Sequence, residues 1–156
     1  FICSFCNAQD EHNFTVQEID SIIKTKSLFK ETPSLHQSYF GLEFSGISYN
    51  TYYTYPLTKN NNKGLIKGTH IEHFIYEKYS EKSNLELYFN KGELFFAKLE
   101  IKKYNKRFKE IESNYYEYSV GQESTSSDIL PDNIKEWIED KSQEILEKYN
   151  SAKYEY

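Results

Sequence analysis

The residues able to do chemistry in this chain are few, and their spacing is unhelpful to most of it. Four histidines are present, His12, His36, His70 and His73. His70 and His73, with Glu72 between them, invite a metal reading. On a strand, however, residues three apart point to opposite faces, so these two rings diverge and cannot converge on one ion. Ser45 precedes Gly46 but lacks the preceding glycine of a nucleophile elbow. Gly64 and Gly68 are isolated, and neither opens a phosphate-cradling or dinucleotide-binding loop. A carboxylate pair such as Glu72 and Glu77 can be drawn for acid/base work, but nothing adjacent raises either pKa. No catalytic residue, metal or cofactor is expected.

Two groups suit binding rather than catalysis. Tyr49, Tyr53 and Tyr55 alternate along one strand and share a face, with Tyr52 opposite; tyrosine anchors contact surfaces at low entropic cost. A cationic run, Lys98, Lys102, Lys103, Lys106, Arg107 and Lys109, ends a strand in an otherwise acidic chain, and can meet an anionic surface or simply discourage edge pairing. The binding residues expected are therefore Tyr49, Tyr53, Tyr55, Lys102, Lys103 and Arg107.

Composition narrows the class. The chain has 156 residues, 19 Lys+Arg against 24 Asp+Glu, a formal charge of −5, and 15 Tyr and 11 Phe. Its length suits one domain with a real core. The net negative charge argues against a nucleic-acid binder, which must neutralise several phosphates. No run of about 18 apolar residues is present, so no complete transmembrane helix is expected. The opening Phe1-Ile2-Cys3-Ser4-Phe5-Cys6-Asn7-Ala8 resembles a signal-peptide tail, with Cys6 and Ala8 as small residues before a cut at Gln9. Cys3-x-x-Cys6 is followed by the polar run Gln9–Asn13 rather than by a helix, which speaks against a redox pair. Residues 1–8 are thus expected to be a signal remnant, 9–150 a single α+β domain and 151–156 a frayed tail.

The elements follow from period and punctuation. Thr15-x-x-Glu18 is a capping box, Phe14 and Ile19 a hydrophobic staple, and Val16, Ile19, Ile22 and Ile23 an apolar stripe, predicting a helix to about Lys30. From Tyr39 to Val120 the period is two. Phe40, Leu42 and Phe44 mark one strand, Tyr49 to Tyr55 a second, and Thr69 to Tyr79 a third, before a polar turn at Ser80–Asn84. Leu85, Leu87 and Phe89 pair through the Asn90-Lys91-Gly92 turn with Phe95, Ala97, Leu99 and Ile101, and Tyr116, Tyr118 and Val120 close the set. A last helix follows Pro131, capped by Asp132 or Asn133, with Ile134, Trp137, Ile138, Ile145, Leu146 and Tyr149 on its apolar face. The architecture expected is α+β: N-terminal helix, antiparallel β-meander of about five or six strands, and C-terminal helix, with both helices on one sheet face.

The segment Glu86-Leu87-Tyr88-Phe89-Asn90-Lys91-Gly92-Glu93-Leu94-Phe95-Phe96 resembles a hairpin of small exported bacterial proteins that carry an N-terminal helix and an aromatic β-meander. That resemblance implies a periplasmic or surface-associated α+β protein and transfers no functional residue. The reading is of an exported, periplasmic or secreted, non-enzymatic binding protein that contacts a protein or glycan through a Tyr-rich sheet face, an inhibitor or immunity protein being one form of it. The alternative is a cell-envelope hydrolase using a carboxylate pair.

Overall fold

The computed structural model describes residues 13–25, 30–31, 37–40, 44–54, 64–122 and 130–152, with the backbone alone at 30–31, 37–40 and 152. Expectations for His12, His36, Cys3, Cys6, the signal remnant, Tyr55, the 59–63 loop and the tail beyond 152 lie outside them.

Helix α1 (Val16–Thr25) starts as its local sequence dictates. The Thr15 amide donates to Glu18 Oε2 at 2.7 Å and the Glu18 amide to Thr15 Oγ1 at 3.2 Å, closing the capping box. Phe14 is held to the sheet by a reciprocal pair: its amide donates to Asn90 Oδ1 and its carbonyl accepts from Asn90 Nδ2, both at 2.9 Å. The helix ends at Thr25, short of Lys30, which instead joins Glu31 as strand β1 (Lys30–Glu31).

Five long strands form the antiparallel meander: β3 (Phe44–Thr54), β4 (Leu65–Tyr76), β5 (Tyr79–Asn90), β6 (Glu93–Asn105) and β7 (Glu110–Ser119). Short β1 and β2 (Gln37–Phe40) both pair with β3 on its outer edge. Of the single strand expected through Phe40, Leu42 and Phe44, Leu42 lies outside the described residues, and Phe40 and Phe44 belong to two antiparallel strands, with Phe40 paired to Ser45. The turn expected at Ser80–Asn84 sits at Glu77-Lys78, and those polar residues belong to β5, with Ser80 and Ser83 buried. The Lys91-Gly92 turn is where the sequence placed it. Both residues have positive φ, 52° and 79°, the geometry that matches a two-residue hairpin loop to strand twist.

Helix α2 (Asp132–Ala152) begins with the Pro131 carbonyl accepting from the Ile134 and Lys135 amides. Its apolar stripe buries Ile138, Ile145 and Tyr149 against Tyr52, Leu65, Leu85, Leu87, Phe89, Ala97 and Leu99. Gly68 lets the helix approach, since a Cβ there would meet Ile145 Cγ2 at 3.0 Å.

The class and element order are those expected, but the helices do not share a face. Ile19 of α1 packs with Ile66, Tyr88, Tyr53 and Phe96 in a separate cluster. Tyr52 and Tyr53, and Leu87 and Tyr88, are neighbours in one strand yet belong to different clusters, so the helices lie on opposite faces. Alternating strands with large apolar residues at both parities have two faces to bury, and one helix cannot cover both.

Candidate functional site

Tyr53, expected on an open face, packs beneath α1. Tyr49 shares its face and is half-buried, two pleats further from the helix. Lys102 and Lys103 are consecutive in β6 and so face opposite ways, and each meets carboxylates. Lys102 Nζ is 2.9 Å from Glu100 and 4.0 Å from Glu110; Lys103 Nζ is 3.8 Å from Glu81 and 3.5 Å from Glu112. The hydrogen bond to Glu100 raises the Lys102 pKa. Arg107 is exposed in the β6–β7 turn. The fold therefore does not gather the expected residues into one site.

Two polar nodes that sequence reasoning missed hold the helices to the sheet. Under α1, Lys67 Nζ donates to Asp20 Oδ1 at 2.9 Å, Glu86 Oε1 at 3.0 Å and the Tyr88 hydroxyl at 3.0 Å, and that hydroxyl lies 3.0 Å from Asp20 Oδ1. Tyr88 is fully buried. Burial would lower the Lys67 pKa, but these three hydrogen bonds outweigh it and raise it, while burial raises that of Tyr88. The ammonium stays charged and the phenol neutral, so neither is a nucleophile near neutral pH. Asp20 and Glu86 are the carboxylate pair that does converge, but the ammonium and phenol occupy the space between them.

On the other face, His70 is buried beside Trp137, its Nδ1 2.5 Å from Asn50 Oδ1 and its Nε2 2.9 Å from Glu72 Oε1. Glu72 in turn lies 3.9 Å from Lys141 of α2. His73 faces the opposite side, as the spacing requires. Glu77 is exposed in the β4–β5 turn, five residues beyond Glu72, and is no part of this chain of contacts.

The remaining feature is the sheet end farthest from α1, formed by the start of β3 and the β4–β5 and β6–β7 turns. Among the described residues eight large apolar side chains are exposed, and six of them, Phe44, Ile47, Ile75, Tyr79, Phe108 and Ile111, lie at this end. On the α2 side Phe44, Phe74, Tyr76 and Tyr79 form a chain of rings, with Tyr76 and Tyr79 stacked at 4.6 Å. Phe74 lies across Gly46, where a Cβ would come within 2.2 Å of the ring. On the α1 side, register places Ile47, Tyr49, Ile71, His73 and Ile75 together on adjacent strands. Among the described residues no three His, Cys, Asp or Glu side chains group as metal ligands, and no helix is long and apolar enough to cross a membrane.

No family model, curated protein or solved structure matches this chain.

Proposed function

We propose that this protein is a non-enzymatic binding protein that docks a macromolecular partner, a protein or a glycan, through the half of its α1-side sheet face that α1 leaves uncovered. The observation that carries this reading is the exposure of Ile47 and Ile75, 43% and 49%, on adjacent strands of that face. β-Branched residues at diagonal positions of one face and in water signal contact with something, because a solvated strand face ordinarily alternates to polar residues. Tyr49 and Ile71, paired in register and half-buried beyond Ile47, extend the surface toward α1. The chain's charge of −5 favours fast encounter with a basic partner, which suits an inhibitor or immunity role. Export to the periplasm or cell surface belongs to the same proposal, and fractionation of the native source tests it separately.

The test of the docking surface is capture of the partner from the native envelope fraction by the wild-type chain and by an Ile47→Ser/Ile75→Ser variant. These side chains are solvent-exposed, so the variant folds; loss of the captured partner supports the proposal, and undiminished capture overturns it.

A further inference from the structure

The most exposed large apolar side chain among the described residues belongs to a turn rather than a sheet face. Phe108, 78% exposed, sits between β6 and β7 in the sequence Lys106-Arg107-Phe108-Lys109. Its φ of 58° is left-handed, a conformation that suits Gly or Asn and is unfavourable for a bulky side chain. The turn is nevertheless firmly determined. The Asn105 amide donates to the Lys109 carbonyl and the Phe108 amide to the Asn105 carbonyl, both at 2.9 Å. Asn105 Oδ1 also accepts from the Arg107 amide at 2.9 Å and the Lys109 amide at 3.1 Å. A rigid frame thus holds an aromatic ring out in water, where burial within the fold does not compensate the backbone.

The charges around it oppose those of the chain as a whole. Glu81, Glu110 and Glu112 at this end already face Lys102 or Lys103. Lys78, Lys82, Lys106, Arg107 and Lys109 are exposed and, among the described residues, have no carboxylate within ion-pair distance. Glu77 is then the remaining acid at an end carrying five free cations. Ile111, 58% exposed, follows the turn at an irregularity in the β6–β7 pairing.

We propose that the β6–β7 turn is a contact site for an anionic lipid bilayer. Phe108 and Ile111 enter the headgroup boundary, and Lys106, Arg107 and Lys109 meet lipid phosphates, with Lys78 of the neighbouring turn beside them. An aromatic ring flanked by long cationic side chains matches such an interface, where the ring is dehydrated and the charged heads remain at the phosphates. An acidic nucleic-acid strand offers the same phosphates, but gives the aliphatic Ile111 nothing to dehydrate against. The inference goes beyond the docking reading and is independent of it, since it concerns purified protein and lipid alone.

The experiment is co-sedimentation of the purified chain with phosphatidylcholine vesicles, with and without phosphatidylserine, and with a single-stranded oligonucleotide as competitor. Binding is expected to the serine-containing vesicles only, and to fall with salt. Phe108→Asn suits the left-handed position, so it keeps the fold, and should weaken partitioning by about tenfold or more. Replacing Lys106, Arg107 and Lys109 by Gln should weaken it by about a hundredfold, at roughly fivefold per charge. The proposal is overturned by absence of binding to serine-containing vesicles, by equal binding to phosphatidylcholine alone, by Phe108→Asn binding like wild type, or by displacement from the vesicles by the oligonucleotide.

Discussion

Tyr52 and Tyr53 are adjacent in β3 and pack beneath different helices: the Tyr52 ring lies tilted against that of Tyr149 of α2 with centroids 6.0 Å apart, and Tyr53, partly buried, packs with Ile19 of α1. One peptide bond therefore connects two cores. Tyr52→Ala should remove about 3–5 kcal/mol of stability, because its site is 1% exposed and cannot refill with water or side chains. Tyr53→Ala, at a partly exposed site, should cost less. Hydrogen exchange separates them, with α2 amides losing protection in the first variant and α1 amides in the second.

Lys67 is the polar counterpart beneath α1. Replacing it with Met removes the ammonium hydrogen-bonded to both Asp20 and Glu86 and leaves Lys98, 3.9 Å from Asp20 Oδ2, as the nearby cation. Both carboxylates are about 30% exposed, so the cost is reduced from that of a fully buried pair to about 2 kcal/mol. Urea unfolding of Lys67→Met against wild type measures it, and an added Asp20→Asn substitution should restore part of the loss by removing one of the two charges.

Gly68 decides how closely α2 approaches β4. A methyl group there presses on Ile145 Cγ2 at 3.0 Å, and Ile145 is 1% exposed with no free direction to move. Gly68→Ala should destabilise by about 1–3 kcal/mol. In an Ile145→Ala background the clash disappears, so a double-mutant cycle should show favourable coupling; additive effects would contradict the packing described.

Glu144 gives the acid limb of stability a specific source. Burial pushes its pKa up, but hydrogen bonds from Lys148 and Lys141 outweigh this and hold it at about 2. A carboxylate depressed in the folded state contributes stability that is present above its unfolded pKa of about 4.3 and lost as pH falls toward 2. The group is about one-third exposed and its partners lie one turn away on the same helix, so the contribution is about 0.5–1 kcal/mol. Glu144→Gln should flatten the fall in unfolding midpoint between pH 4.3 and 2, while wild type retains it.

The elements defined by short-range chemistry were legible in the sequence. The Thr15-x-x-Glu18 cap, the apolar stripe of α2 and the Lys91-Gly92 turn each depend on residues within a few positions of one another, and each formed where the pattern put it. Strand parity was legible too, which is why His70 and His73 diverge. Parity says which residues share a face but not what covers that face. Both faces of this sheet carry large apolar side chains, Leu85, Leu87 and Leu99 on one and Ile66, Tyr88 and Phe96 on the other, so the sequence alone did not assign the helices.

What tertiary structure decided is therefore the set of long-range matches. Lys67 meets Asp20 across 47 positions and Tyr88 meets Asp20 across 68, and no local spacing announces either. The reversal at Glu77-Lys78 was hidden because the polar run after it, Ser80–Asn84, belongs to β5: Ser80 and Ser83 are buried and Lys82 is exposed, and the backbone of all five pairs in the ladder rather than with water. Tyr53 left the expected binding face for the same reason, since a helix whose own cap was plain to read settled over it. The sheet end that remains open is defined by where two helices of given length stop, a property of the assembled layers and not of any segment.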